Sequence, residues 1–207
     1  MMRRIGISMR SSSAVGYNET RDAIARDWYR FMSELSIDYD WMLLPNLGED
    51  SVAYAKHWGI EAIILTGGDD IGLDGSRDTT ELLLLKHCID NQMPVLGICR
   101  GAQLINHYFG GTLFRTDPHF HRARRHVVNL QGEVPWWHGN YQGDVNSFHT
   151  MALAAPLPEV LTSFITVGDD CEGVIHKSLN IVGVMWHPER ESTASDFDRK
   201  LIHWLFS

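Results

Sequence analysis

The sequence predicts an α/β fold, with a mostly parallel central sheet and helices on both faces. Short, nearly all-apolar runs such as IEAIILTGG and MPVLGIC alternate with amphipathic stretches through the first half. Strands apolar on both faces need cover on both, which a parallel sheet obtains from its crossover helices. The C-terminal half holds shorter strand-like pieces separated by polar, glycine-containing turns, the pattern of antiparallel strands added to the same sheet. The 207 residues fit one domain over 1–207 with a full core, and they show no repeat, low-complexity tract or linker.

Taken in order, RRIGISM (3–9) reads as the first strand. NETRDAIARDWYRFMSEL reads as a helix from an Asn18 N-cap, with Ile24, Trp28, Phe31 and Leu35 at helical spacing. IDYDWMLLP is a strand stopped by Pro45, and SVAYAKHWG a short helix ending at Gly59. IEAIILTGG is a buried strand running into paired glycines, and DTTELLLLKHCIDNQ is helical. MPVLGIC is again a buried strand, and RGAQLINHYFGG a helix closed by glycines. HVVNL, DVNSF, TSFITVG, EGVIHKS and NIVGVMW are the later strands, and SDFDRKLIHWLFS is an amphipathic closing helix.

Charge narrows the function classes. Lys and Arg total 18 against 26 Asp and Glu, a net charge of −8, so the long-range field repels nucleic acids and anionic membranes. No apolar run approaches the roughly 20 residues that span a bilayer. The three cysteines (Cys88, Cys99, Cys171) follow no disulfide or zinc-finger spacing, which points to a reducing compartment. The apolar stretch in MMRRIGISMRSSS is too short for a signal peptide, so a cytoplasmic location is expected.

Three segments carry chemistry. GICRG (97–101) places Cys99 on a G-x-C-x-G turn between a buried strand and a helix, a nucleophile elbow in cysteine form. Flanking glycines let strand and helix approach closely, and a helix N-terminus favours a thiolate and offers N–H groups to a developing oxyanion. A buried structural cysteine is the alternative, and the glycines at this junction weigh against it. GVMWHPER (183–190) supplies a base and an orienter, because His187 and Glu189 lie two apart at a strand end and can share a face. LTGGDD (65–70) ends a strand in a Gly-Gly turn, where bare N–H groups can meet an oxyanion; alone it reads equally as a plain loop entry.

PVLGICRGAQLINHYFGGTL, ILTGGDD, RDTTE, VNSFH and GVMWHPER occur in the order found in class I glutamine amidotransferases, and the chain most resembles their γ-glutamyl hydrolase (peptidase C26) branch. The resemblance covers nearly the whole chain and implies a flavodoxin-like sheet. It implies a triad of Cys99, His187 and Glu189, an oxyanion hole from the N–H groups of Gly68 and Arg100, and no metal or other cofactor. Gln103, Ser147, Phe148 and His149 match positions that hold the glutamate half of a substrate. The implied reaction cleaves the γ-glutamyl amide of a small molecule through a thioester. Its amine is γ-aminobutyrate-like, or a phosphorylated or nucleotide amidate as in capsule phosphoramidate synthesis. The other function class is a glutaminase subunit that delivers ammonia to a separate synthase. SFHTM departs from the usual SxHxQ by Met151, and VMW from VQW by Met185. The run from Gly68 to the next helix is also short for the branch.

HFHRARRH (119–126) packs three histidines and three arginines into an acidic chain. Arg122, Arg124 and Arg125 can bind an anion such as phosphate. The segment reads equally as a solvated loop or as an interface with a second copy in a homodimer. His119 and His121 sharing a metal is a further reading; no Cys, Asp or Glu joins them locally, so none is expected. Trp136 and Trp137 read as packing residues, with a platform for a base as the alternative.

Overall fold

The computed structural model describes residues 3–207. The chain runs β1 (Arg3–Ser8), β2 (Arg10–Ser13), β3 (Thr20–Ala23), α1 (Asp27–Leu35), β4 (Tyr39–Leu44), α2 (Ser51–His57), β5 (Ala62–Leu65), α3 (Gly75–Asp90), β6 (Val95–Ile98) and α4 (Arg100–Tyr108). It continues through β7 (Leu113–Arg115), α5 (Pro118–His121), β8 (Arg122–Leu130), β9 (Gln142–Phe148), β10 (Met151–Leu153), β11 (Leu161–Val167), β12 (Asp170–His176), β13 (Ile181–Val184) and α6 (Asp196–Leu205).

The main sheet has the order β4-β1-β5-β6-β13-β12-β11-β8-β9, with β10 pairing β12 and β7. Strands β4, β1, β5, β6 and β13 are parallel, and the rest join antiparallel. Counted along the chain, the parallel strands stand 2-1-3-4-5, the flavodoxin-like order that the resemblance implied. Ligands in such sheets gather at the carboxyl ends of strands, beside the point where the order reverses. That point lies between β1 and β5.

The buried strands are apolar throughout, as their sequences require: Ile63, Ile64, Val95, Ile98, Ile181 and Val182 are all within 1% of full burial. One face packs Trp28, Phe31, Met32 and Leu35 of α1 and Phe197, Leu201 and Leu205 of α6 onto the sheet. The other face packs Leu84, Leu85 and Cys88 of α3 and Leu104 and Ile105 of α4. Trp136 sits edge-on to Phe164 and against Trp204, and Trp137 packs on Tyr141 and Phe197, so both tryptophans serve packing.

The helix expected from Asn18 begins only at Asp27. Residues 20–23 instead form a two-stranded ribbon with 10–13, Arg10 opposite Ala23 and Ser13 opposite Thr20. Asn46 holds the ribbon, donating from its backbone N–H and its amide to the Asp22 carboxylate at 2.9 and 2.6 Å. Long-range pairing overrides local helical spacing here. Among the described residues no helix is long and apolar enough to cross a membrane.

Candidate active site

Cys99 follows the last residue of β6, and its N–H donates to the Val184 carbonyl at 2.7 Å, pinning the turn to β13. Its φ of 54° and ψ of −104° lie in a region that L residues rarely occupy, and α4 starts at the next residue. Glycine makes this turn feasible: a Cβ on Gly97 would lie 2.6 Å from the Gly101 carbonyl carbon, inside any real contact. The thiol is thereby lifted to the carboxyl edge of the sheet and is 6% exposed.

His187 lies three residues beyond β13. Asn146 of β9 clamps its backbone, accepting from the His187 N–H at 3.0 Å and donating to its carbonyl at 2.8 Å. Glu189 is not on a strand face, as its i, i+2 spacing from His187 suggests; it lies in a 3₁₀ turn over Pro188–Arg190. Its carboxylate still meets His187 Nδ1 at 2.8 Å. Burial alone would pull the imidazole pKa down. The Cys99 sulfur and the Glu189 carboxylate together push it the other way, to about 9. The triad residues are therefore together, with the imidazolium favoured at neutral pH.

The Gly67–Gly68 turn follows β5 and faces His187; a Cβ on Gly67 would lie 2.5 Å from the imidazole Cε1 and 3.5 Å from Cys99 Cβ. Beneath it lies a buried ionic network. Arg77 donates to Glu81 at 3.0 Å, to the Thr66 carbonyl at 2.9 Å and to the Gly67 carbonyl at 3.1 Å. Arg100 bonds Glu81 and Asp78, and Ser8 donates to Glu81 at 2.7 Å. The network ties β1, β5, α3 and α4 together directly under the elbow. Arg77, Asp78 and Glu81 of this network all come from the RDTTE segment.

The sequence profile of the peptidase C26 family matches residues 5–189. The chain belongs to the peptidase C26 family. It is 32% identical over 194 residues to the γ-glutamyl-CDP-amidate hydrolase of Campylobacter jejuni, covering 91% of this chain and 90% of that one. It is 29% identical over 141 residues to a glutamine-hydrolysing GMP synthase subunit of Methanococcus maripaludis, covering 65% and 67%. A Thermoplasma acidophilum structure provisionally described as a GMP synthase subunit superposes with a TM-score of 0.74 at 21% identity, covering 100% of this chain and 93% of the other.

Two cavities open onto the thiol of this C26 protein. One, of about 340 Å³, is lined by Arg10, Gly68, Cys99, Arg122, Phe148, His187 and Arg190. The other, of about 350 Å³, adds Asp70, Gln103, Arg115 and Thr150. Gln103 donates from its amide to the Met151 carbonyl at 2.9 Å, so the departure at Met151 leaves a backbone contact in place. Phe148 is 41% exposed and stands edge-on to His187, with Arg190 over its ring.

Ser147 and His149, expected beside the substrate, point the other way. Alternation along β9 sends Phe148 outward and its neighbours inward. Ser147 donates to the His121 carbonyl at 2.7 Å, and His149 is buried against Glu172. The arginine cluster divides by the same alternation and a bulge between Arg122 and Arg124. Arg122 lines both thiol cavities, whereas Arg124 and Arg125 line a separate one of about 650 Å³. Arg125 is ion-paired with Asp144 and Glu191. Arg10, Arg115 and Arg190 went unnoticed because three separate segments bring them to the site. Asn146 went unnoticed because its role is to hold backbone.

Proposed function

We propose that this protein hydrolyses the γ-glutamyl amide of a small anionic conjugate, releasing glutamate and a phosphorylated or nucleotide-linked amine. The Cys99 thiolate attacks the γ-carbonyl, and the oxyanion rests on the N–H groups of Gly68 and Arg100. His187, held by Glu189, gives its proton to the leaving nitrogen as the C–N bond breaks. Water, deprotonated by His187, then cleaves the thioester to glutamate and regenerates the thiol. Gln103 and the Phe148 segment hold the glutamate half, with the Gln103 carbonyl oxygen free to accept from the α-ammonium group.

One observation carries the choice of amine. Arg10, Arg122 and Arg190 line the same cavity as Cys99 in a chain of net charge −8, against a single lining carboxylate, Asp69, which lies 3.5 Å from Arg10. Guanidinium forks match phosphate oxygens, and γ-aminobutyrate would need only one of them. The Campylobacter jejuni relative's named substrate is of this phosphorylated kind.

The test compares glutamate release from glutamine, γ-glutamyl-γ-aminobutyrate and a γ-glutamyl nucleotide amidate. The amidate is expected to have the highest kcat/KM, and Cys99→Ala to release no glutamate while keeping the wild-type melting temperature. Turnover of glutamine above the others would favour the ammonia-supplying reading, which similarity to a glutamine-hydrolysing synthase keeps in play. Turnover by Cys99→Ala would refute the thioester.

A further inference from the structure

Behind the Phe148 wall, away from Cys99, four polar side chains from four segments converge in the interior. His121 comes from α5, His126 from β8, His149 from the turn after β9, and Glu172 from β12. All four are at least nine-tenths buried. One nitrogen of His121, one of His126 and one carboxylate oxygen of Glu172 lie within 4.8 Å of one another. His149 Nε2 lies 3.3 Å from Glu172 Oε1, and its ring centroid is 4.8 Å from that of His121.

We propose that His121, His126 and Glu172, with His149 beside them, form a structural divalent-metal site, of a chemistry suited to zinc, that fixes the outer wall of the substrate cavity. Imidazole nitrogens with one carboxylate are a zinc donor set. Nitrogen and oxygen ligands about 2.0–2.2 Å from a tetrahedral zinc stand about 3.3–3.6 Å from each other. The contacts to Glu172 Oε1, at 3.8 Å for His121 Nδ1, 3.7 Å for His126 Nδ1 and 3.3 Å for His149 Nε2, lie at or about 0.2 Å above that spacing. They are too long for charge-assisted hydrogen bonds, which run about 2.7–2.9 Å.

Two further features point to a cation. Among the described residues, His121 Nδ1, His126 Nδ1, both ring nitrogens of His149 and both Glu172 oxygens lack a hydrogen-bond partner despite full burial. Leaving so many polar atoms unmatched is costly, and one shared cation satisfies most of them at once. An outer contact also sets the tautomer of His126. His126 Nε2 donates to the Phe120 carbonyl at 2.6 Å, and His121 Nε2 lies 3.4 Å from the Asp170 carboxylate. The Phe120 contact holds the proton of His126 on Nε2 and leaves its Nδ1 lone pair facing Glu172, the arrangement seen behind metal-bound histidines. The cavity of about 650 Å³ that His121, His126 and Asp170 also line gives an ion a way in. His119, paired with His121 by sequence proximity, is exposed and takes no part.

Arg122 follows His121 and Phe148 precedes His149, so the ion would clamp both residues that face the thiol. The site does not depend on the proposed reaction, and its test reads metal directly. Tag-free protein is purified, its zinc content measured, and the chelator-stripped protein titrated with Zn²⁺ and with Co²⁺. One equivalent of zinc and the visible absorption of a tetrahedral Co²⁺ centre are expected. Zn²⁺ at about a thousand times its Kd should raise the melting temperature by on the order of 10 °C. His126→Ala and Glu172→Gln should lose both the Co²⁺ spectrum and the melting shift, while His119→Ala keeps them. Wild-type protein that retains no zinc, gives no Co²⁺ spectrum and shows no shift overturns the proposal. Metal bound unchanged in both ligand variants overturns it too, because the ion would then lie elsewhere.

Discussion

Replacing Glu189 by glutamine keeps the shape of the His187 partner and removes its charge. The contact is a 2.8 Å hydrogen bond between two buried groups, and the imidazole pKa stands at about 9. Hydrogen bonds to charged groups contribute roughly 1.5–3 kcal/mol, and one pKa unit corresponds to about 1.4 kcal/mol. Glu189→Gln should therefore lower the imidazole pKa by about 1–2 units. In the proposed reaction protonated His187 gives the leaving amine its proton, so kcat/KM should fall as pH rises through this pKa. The wild-type profile, read as glutamate release between neutral and strongly alkaline pH, should turn down near 9, and the variant's near 7–8. Stability follows the same sign. A histidine pKa raised on folding contributes stability that is full below about 6.5 and is lost as pH rises through about 9. The variant's melting deficit should accordingly shrink in alkali. An alkaline limb that does not move in Glu189→Gln would refute the argument, since the carboxylate would then not be holding the imidazolium.

Four other substitutions test separate parts of the molecule. Arg122→Ala should raise KM for a γ-glutamyl nucleotide amidate about 10- to 100-fold, the loss of one charge-assisted contact, and leave γ-glutamyl-γ-aminobutyrate little changed. Arg125→Ala, which loses partners at Asp144 and Glu191 instead, should leave both KM values alone, and equal effects of the two variants would sink the division of the cluster. Gly67→Ala drives a methyl to 2.5 Å from the His187 ring and should lower kcat while costing about 1–3 kcal/mol in urea melts; a fully active variant would mean the turn is not fixed against the imidazole. Asp198 is buried, and that burial lifts its carboxyl pKa to about 6 although Trp186 and Ser195 both donate to it. The folded state thus prefers the proton, and stability falls as pH rises from about 4 through about 6, by on the order of 3 kcal/mol. Asp198→Asn should flatten that decline in melting curves taken between pH 4 and 8.

The parallel half of the fold was legible because its central strands β5, β6 and β13 are apolar on both faces, a pattern that leaves few other arrangements. The turns that carry Cys99, His187 and Glu189 were legible for a related reason: glycines mark the junction after β6, and Pro188 marks the turn beyond β13. What failed was whatever depends on which way a side chain points or on what it meets across the sheet. One residue of alternation separates Phe148, which faces the thiol, from Ser147 and His149, which do not. A single bulge separates Arg122 from Arg124. The helix expected from Asn18 failed because Asp22 is bound by Asn46, a partner 24 positions away that no helical period reveals.

The buried Arg77–Glu81–Arg100 network bears on how the Gly67–Gly68 turn is held in place. Ion pairs sealed from water often add little net stability, so stabilisation alone is a weak reason for placing four charged residues under a strand end. Position is a stronger one. Arg77 fixes the carbonyl oxygens of Thr66 and Gly67, and a planar trans peptide holds its N–H opposite its carbonyl. Holding the Gly67 oxygen down on Arg77 therefore turns the Gly68 N–H up, toward the cavity that Gly68 shares with Cys99. Arg100 starts α4 while its side chain reaches back to Glu81 and Asp78, so the same carboxylates anchor the second proposed donor. In the proposed reaction both N–H groups would be set by charges that carry no substrate, and the donors would stand ready before the oxyanion forms. Preorganisation of that kind, with no reorganisation left for the moment of reaction, is where electrostatic catalysis gains most.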